Sequence, residues 1–185
     1  MRRLHNLFLL LIACFATAML AQAPAQAPKP DPALKKLAVL VGHWTYEGEY
    51  KAGPLGPGGK ITGEYTGQMI LGGFFFRGQS TEKGTMGETR SLEIDGYDPL
   101  NKSIASSVYQ DDGSTFSGVV TVTGDTVTWA GKYAVAGKQY LLKEPLILAP
   151  DLMSGTAKAE ISVDGNTWLP FFEAQYARAK PTPKK

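Results

Sequence analysis

The 185-residue chain has one cysteine, two histidines and only 19% charged residues. A single cysteine excludes an internal disulfide, and Cys14 sits in a segment that reads as removable, so the mature protein is expected to carry no thiol. His5 lies in the same segment, which leaves His43 as the one imidazole available for chemistry. A Ser-His-Asp arrangement would have to use it, and no Gly-x-Ser-x-Gly sequence supplies an exposed nucleophile. Metal binding is equally short of ligands. Glu47 lies four residues beyond His43, a spacing that converges on a helix but separates the groups by ~13 Å on a strand. Long apolar runs are missing too. The stretch Leu7–Leu20 falls well short of the ~20 residues a membrane-spanning helix needs. The formal charge of +2 is carried by Arg2 and Arg3, and without them 17 basic residues face 17 acidic ones. That balance gives no footprint for nucleic acid.

Two arginines, an apolar run and then alternating Ala, Gln and Pro make Met1–Ala25 a secretory signal peptide, with cleavage expected after Ala25. The expected location is therefore the periplasm or the exterior. An alternative reading takes Leu11, Ile12, Ala13 and Cys14 as a lipobox, although the apolar run continues past Cys14, where a lipobox normally closes it. Residues 26–32 read as an extended leader, 33–179 as one folded domain and 180–185, with two prolines and three lysines, as a disordered tail.

Asp31 followed by Pro32 predicts a helix start, and Leu34, Leu37, Leu40 and Val41 give the short helix an apolar face that should cover something. After Gly42 the periodicity changes to two. Trp44, Tyr46, Gly48 and Tyr50 alternate with Thr45, Glu47 and Glu49, and nine further segments follow at 61–69, 74–81, 88–95, 102–109, 115–122, 126–132, 139–148, 156–163 and 168–178. Turn sequences such as Asp95-Gly96, Asp112-Gly113, Gly124-Asp125 and Asp164-Gly165 separate many of them. About ten strands with hairpin-length connections form an antiparallel meander, and closing it into an up-and-down barrel buries one face of each strand and hides the edges. Gly53–Lys60 resembles a phosphate loop only superficially. Ile61 replaces the Ser or Thr and no helix follows, so the segment is expected to be a flexible loop at the barrel mouth.

Gly42-His43-Trp44 after a short helix resembles the Gly-x-Trp signature of the calycins, which include lipocalins and fatty-acid-binding proteins. With Gly72-Gly73-Phe74, Gly96-Tyr97-Asp98-Pro99, Asp112-Gly113-Ser114, Asp164–Trp168 and Tyr176-Ala177-Arg178, the chain from about Leu34 to Arg178 resembles the bacterial family called domain of unknown function 1579. The resemblance implies a calycin-like barrel and brings no established activity. It also implies that Trp44 packs across the closed end under Arg178 from the last strand. The calycin relative nitrobindin holds haem through a histidine late in its chain. No histidine follows His43 here, so no cofactor is expected.

The inward face then carries the functional expectation. Parity with Trp44 and apolar alternation place Tyr46, Tyr50, Tyr65, Phe74, Phe76, Arg90, Leu92, Ile94, Val108, Phe116, Trp129, Tyr140 and Phe172 inside. The candidate binding residues are Tyr46, Tyr65, Phe76, Arg90 and Trp129, with Arg90 answering either an acid, Glu88 or Glu144, or an anionic ligand. The expected partner is a small, apolar or anionic molecule. The alternative is a non-catalytic envelope module with a filled barrel and an exposed aromatic patch at Phe75 and Phe171. No pair of groups is arranged for acid and base work, which ranks catalysis below both.

Overall fold

The computed structural model describes residues 27–85 and 87–179. The expected signal peptide with its Cys14 alternative, and the expected tail 180–185, lie outside the described residues. A 3₁₀ helix spans Pro32–Leu40. Ten strands follow: β1 Gly42–Tyr50, β2 Gly59–Ile70, β3 Phe75–Gly84, β4 Gly87–Asp98, β5 Ser103–Gln110, β6 Thr115–Thr123, β7 Thr126–Val135, β8 Lys138–Leu148, β9 Ser154–Ser162 and β10 Leu169–Arg178. Each pairs antiparallel with its neighbours in sequence, and β1 pairs with β10 to close the barrel. Every expected strand is present.

The helix follows the 3₁₀ period for a visible reason. Leu34, Leu37 and Leu40 recur every three residues, the spacing at which 3₁₀ side chains eclipse, and all three are buried. Asp31 caps it by accepting the Ala33 N–H at 2.8 Å. This buried stripe closes the end of the barrel that holds Gly42 and Arg178, packing with Trp44 and Phe76 in one core.

That floor is built on Trp44 and Arg178, which are register partners across the β1–β10 seam. The Arg178 guanidinium lies 4.3 Å from the Trp44 ring centroid. Its Nη1 donates to the Val41 carbonyl, Nη2 to Val39 O at 2.8 Å and Nε to Leu152 O at 3.2 Å. The Trp44 indole N–H in turn donates to Leu40 O at 3.1 Å. Helix, seam and β8–β9 turn are thus tied through one aromatic and one cation.

The interior parity departs from expectation in two strands. On β4 the inward residues are Glu93 and Asp95, 7% and 0% exposed, while Arg90, Leu92 and Ile94 face outward. Apolar alternation misassigned this strand because its inner face carries the acids. The register decides it: Phe76 is buried and pairs with Asp95, so the two share a face. On β10 a bulge between Pro170 and Phe172 inserts Phe171 as an extra residue, and Phe171 borders the interior instead of an outer patch. Phe74 sits in the turn before β3, not on a strand.

Replacing Trp44 by Ala is expected to destabilise the protein by about 3–5 kcal/mol, the range for emptying an aromatic core position. Denaturant unfolding checks this, and an unchanged midpoint would contradict the structural role given to the pair.

Candidate functional site

The barrel is hollow. Its cavity, about 350 Å³, runs from Leu40 and Trp44 at the floor to Leu55, Gly56 and Gly58 of the β1–β2 loop at the opposite end. Near that loop Tyr50 and Phe171 pack with ring centroids 5.1 Å apart, and Tyr133 lies 6.0 Å from Phe171. Tyr65, Trp129 and Tyr176 line it further in.

Three carboxyl side chains share this lining: Glu82 from β3, Glu93 from β4 and Glu144 from β8. Glu93 accepts the Trp129 indole N–H at 2.6 Å and the Tyr65 hydroxyl at 2.9 Å. Glu82 accepts the Tyr46 hydroxyl at 3.2 Å and also faces Tyr50. Glu144 is the register partner of Trp129 and, among the described residues, receives no hydrogen bond. It is half-buried and lines the cavity. Asp95 lies next inward of Glu93 on β4, and neither of its oxygens nor the facing Ser106 hydroxyl has a partner. Gly78 makes room for the Tyr65–Glu93 bond, since a Cβ there would lie 2.4 Å from Glu93 Oε2 and 2.6 Å from the Tyr65 oxygen.

No cation answers these acids. The ion pairs among the described residues involve none of Glu82, Glu93, Asp95 and Glu144. Lys51 borders the cavity at the loop end, but its ammonium is engaged with Glu49 and Glu173. Burial pushes the Glu144 carboxyl up to about 7, with Glu93 and Glu82 adding repulsion. Burial and then Glu93 push Asp95 up to about 9. Burial likewise raises Glu82 and Glu93, against the hydrogen bonds each accepts. The Tyr46, Tyr65 and Tyr176 hydroxyls are raised by burial and then by neighbouring carboxylates, so they stay protonated as donors.

Of the five candidate binding residues, Tyr65 and Trp129 line the cavity. Tyr46 points inward behind it, stacked on Tyr176 at 4.8 Å, and Phe76 is fully buried in the floor core. Arg90 is a correction. Its side chain is 70% exposed and its Nη2 pairs with Glu88 at 2.9 Å on the outside, so it reaches neither Glu144 nor any bound molecule within the barrel. The basis for an anionic ligand goes with it. Sequence reasoning missed Glu82 and Glu93 altogether, read Asp95-Gly96 as a turn where the two residues lie inside β4, and cast Glu144 only as a partner for Arg90. The filled-barrel alternative required a packed interior, which the cavity does not provide.

A family model described as "Protein of unknown function (DUF1579)" matches residues 29–178. The chain belongs to DUF1579. Among solved structures, this DUF1579 barrel is similar to Rv2717c from M. tuberculosis, at 16% identity and a TM-score of 0.60, covering 82% of this chain and 100% of that one. It is also similar to the S-type phycobiliprotein lyase CPES from Guillardia theta, at 9% identity and a TM-score of 0.52, covering 83% and 100% respectively. At these identities the likeness shows the fold, a calycin-like barrel. No curated protein matches the chain.

Carboxyls with raised folded-state values favour the fold below their ordinary pKa near 4, and that contribution is lost as pH rises through about 7 for Glu144 and about 9 for Asp95. The melting temperature of ligand-free protein is therefore expected to fall between pH 5 and pH 9, and Glu144→Gln to flatten the part of the fall between pH 5 and 7. Differential scanning calorimetry across that range tests both. A melting temperature that rises with pH would contradict the acidic interior.

Proposed function

We propose that this DUF1579 protein is an exported, non-catalytic binding protein that holds a small, largely apolar ligand inside its barrel. The cavity of about 350 Å³ carries the reading. Pockets that enclose small organic ligands run from about 300 to 1,000 Å³ and combine apolar walls with a few fixed polar groups, as the aromatic lining and the three glutamates do here. The shared fold adds no weight of its own, because barrels of one architecture serve unrelated functions.

The Gly- and Pro-rich β1–β2 loop is the portal in this reading. Gly53 and Gly56 exchange backbone hydrogen bonds at 2.9 and 3.1 Å, making a small flap whose Leu55 faces the cavity. The opposite end is sealed by the helix and the Trp44–Arg178 floor, so a ligand enters past the flap. Export rests on the pattern of Met1–Ala25.

Native mass spectrometry of the protein purified from its own host tests binding and export together. The expected result is a polypeptide beginning at Gln26 with a bound mass that is released on denaturation. A lipid-modified N-terminus at Cys14 would replace the cleavage assignment with the lipoprotein reading. A ligand-free spectrum, together with no thermal shift across apolar acids, alcohols and amines, would overturn the binding function.

A further inference from the structure

The cavity has a charge problem that its own residues leave open. Glu82, Glu93 and Glu144 line one cavity and, among the described residues, none of them is in an ion pair with a lysine, arginine or histidine and Glu144 accepts no hydrogen bond. A carboxyl in an aromatic cavity with no cation beside it is a costly arrangement, because burial penalises its charged form and, among the described residues, no ion pair offsets that. Gln at these positions would fill the same space without an ionisable group. The buried acids make physical sense if something entering the cavity brings the missing positive charge.

A bare metal ion does not fit. Among the described residues no three His, Cys, Asp or Glu side chains converge closely enough to hold one. The surroundings suit a different cation. Tyr50 and Phe171 lie toward the loop end, Trp129 stands opposite Glu144 in register, and Tyr176 completes the inner wall. Aromatic faces attract cations through their ring quadrupole, best when the cation is weakly hydrated and the site excludes water. Carboxylates and aromatic rings around one cavity suit recognition of an organic cation with an apolar body.

Resting on the binding function above, we propose that the ligand is such a cation, a basic nitrogen on an apolar skeleton, with the nitrogen seated between Glu144 and Glu82 and faced by the rings of Trp129 and Tyr176. Glu144 is the residue that gains most, since its carboxylate acquires the partner it lacks. Glu93, already held by Trp129 and Tyr65, positions the indole. The groups facing Glu144 are Glu82 from β3, Glu93 from β4, Tyr46 from β1 and Tyr176 from β10. The acids among them are raised and the phenols protonated, so ionising Glu144 strengthens binding of a cation and pH enters with a definite sign.

Isothermal titration calorimetry at pH 7.5 with 4-phenylbutylamine, 4-phenylbutanol and 4-phenylbutanoate holds the apolar body constant and varies only the head group. The amine is expected to bind at least tenfold tighter than the alcohol, and the carboxylate weakest. Amine affinity should rise between pH 6 and pH 8. In Glu144→Gln the preference for amine over alcohol should drop at least tenfold and its pH dependence flatten, while a parent-like circular dichroism spectrum and cooperative thermal unfolding report that the variant is folded. Glu82→Gln should lower the preference by a smaller factor. An alcohol or carboxylate that binds as well as the amine, or a preference that survives Glu144→Gln, overturns the proposal while leaving the binding function standing. Where none of the three binds but the host-purified protein carries a ligand, that ligand's composition decides: a basic nitrogen supports the proposal and its absence overturns it. No ligand in any of these experiments removes the binding function itself, and this proposal with it.

Discussion

A meander of ten strands becomes a barrel only if its first and last strands meet, and here the join is made by Arg178 lying against Trp44. The β1–β10 seam has the ordinary backbone ladder, but a ladder alone does not select which residues face inward, since a slip of one turns every side chain to the other face. The guanidinium removes that freedom. It is planar, always charged and able to donate in several directions, so one side chain covers the indole face and also bonds the carbonyls of Val39, Val41 and Leu152. Three chain segments far apart in sequence are held in one place. The apolar helix above them then has a fixed surface to pack on, and the cavity has a floor.

With the floor set, the glutamates inside the barrel become intelligible as a deliberate departure from core chemistry. Leu, Val and Ile at positions 82, 93 and 144 would make a drier and more stable interior. The chain instead keeps carboxyls there and surrounds them with tyrosine and tryptophan donors, which satisfy two of the three. The arrangement concedes stability in the ligand-free state, most of all above neutral pH, where the buried carboxyls must ionise without a cation beside them.

Much of this was legible in the residues. The change from a three-residue leucine spacing to strict alternation at Gly42 located the helix and β1, and turn sequences separated most of the other strands. The Trp44–Arg178 pair was legible through family resemblance. The candidate site was legible only in part. Tyr65 and Trp129 were found because aromatic residues at strand spacing mark the inside of most barrels. Glu93 and Asp95 were not, because the rule that apolar residues point inward fails on a strand whose inner face is acidic. Hairpin arithmetic held the missing signal: Gly84 pairs with Gly87, which sets Phe76 opposite Asp95 and sends every odd-numbered residue of β4 inside. Arg90, misplaced by the same rule, belongs with Glu88 on the wet face.

Pro170 was the other unread signal, since a residue with no N–H within a strand marks an edge or an irregularity. The bulge that follows it has a bearing on how such a chain can vary in length. Upstream of Phe171 the strand is placed by the β9–β10 hairpin; downstream it is placed by Arg178 on Trp44. The two anchors agree in phase without Phe171, since Pro170 pairs with Glu160 and Phe172 with the adjacent Ala159, and the bulge lodges the extra residue between them. Losing one residue at 171 would remove a ring from the cavity mouth and leave both anchors in step. Losing one anywhere between Ala174 and Arg178 would turn the end of the last strand inside out and lift the cation off the floor.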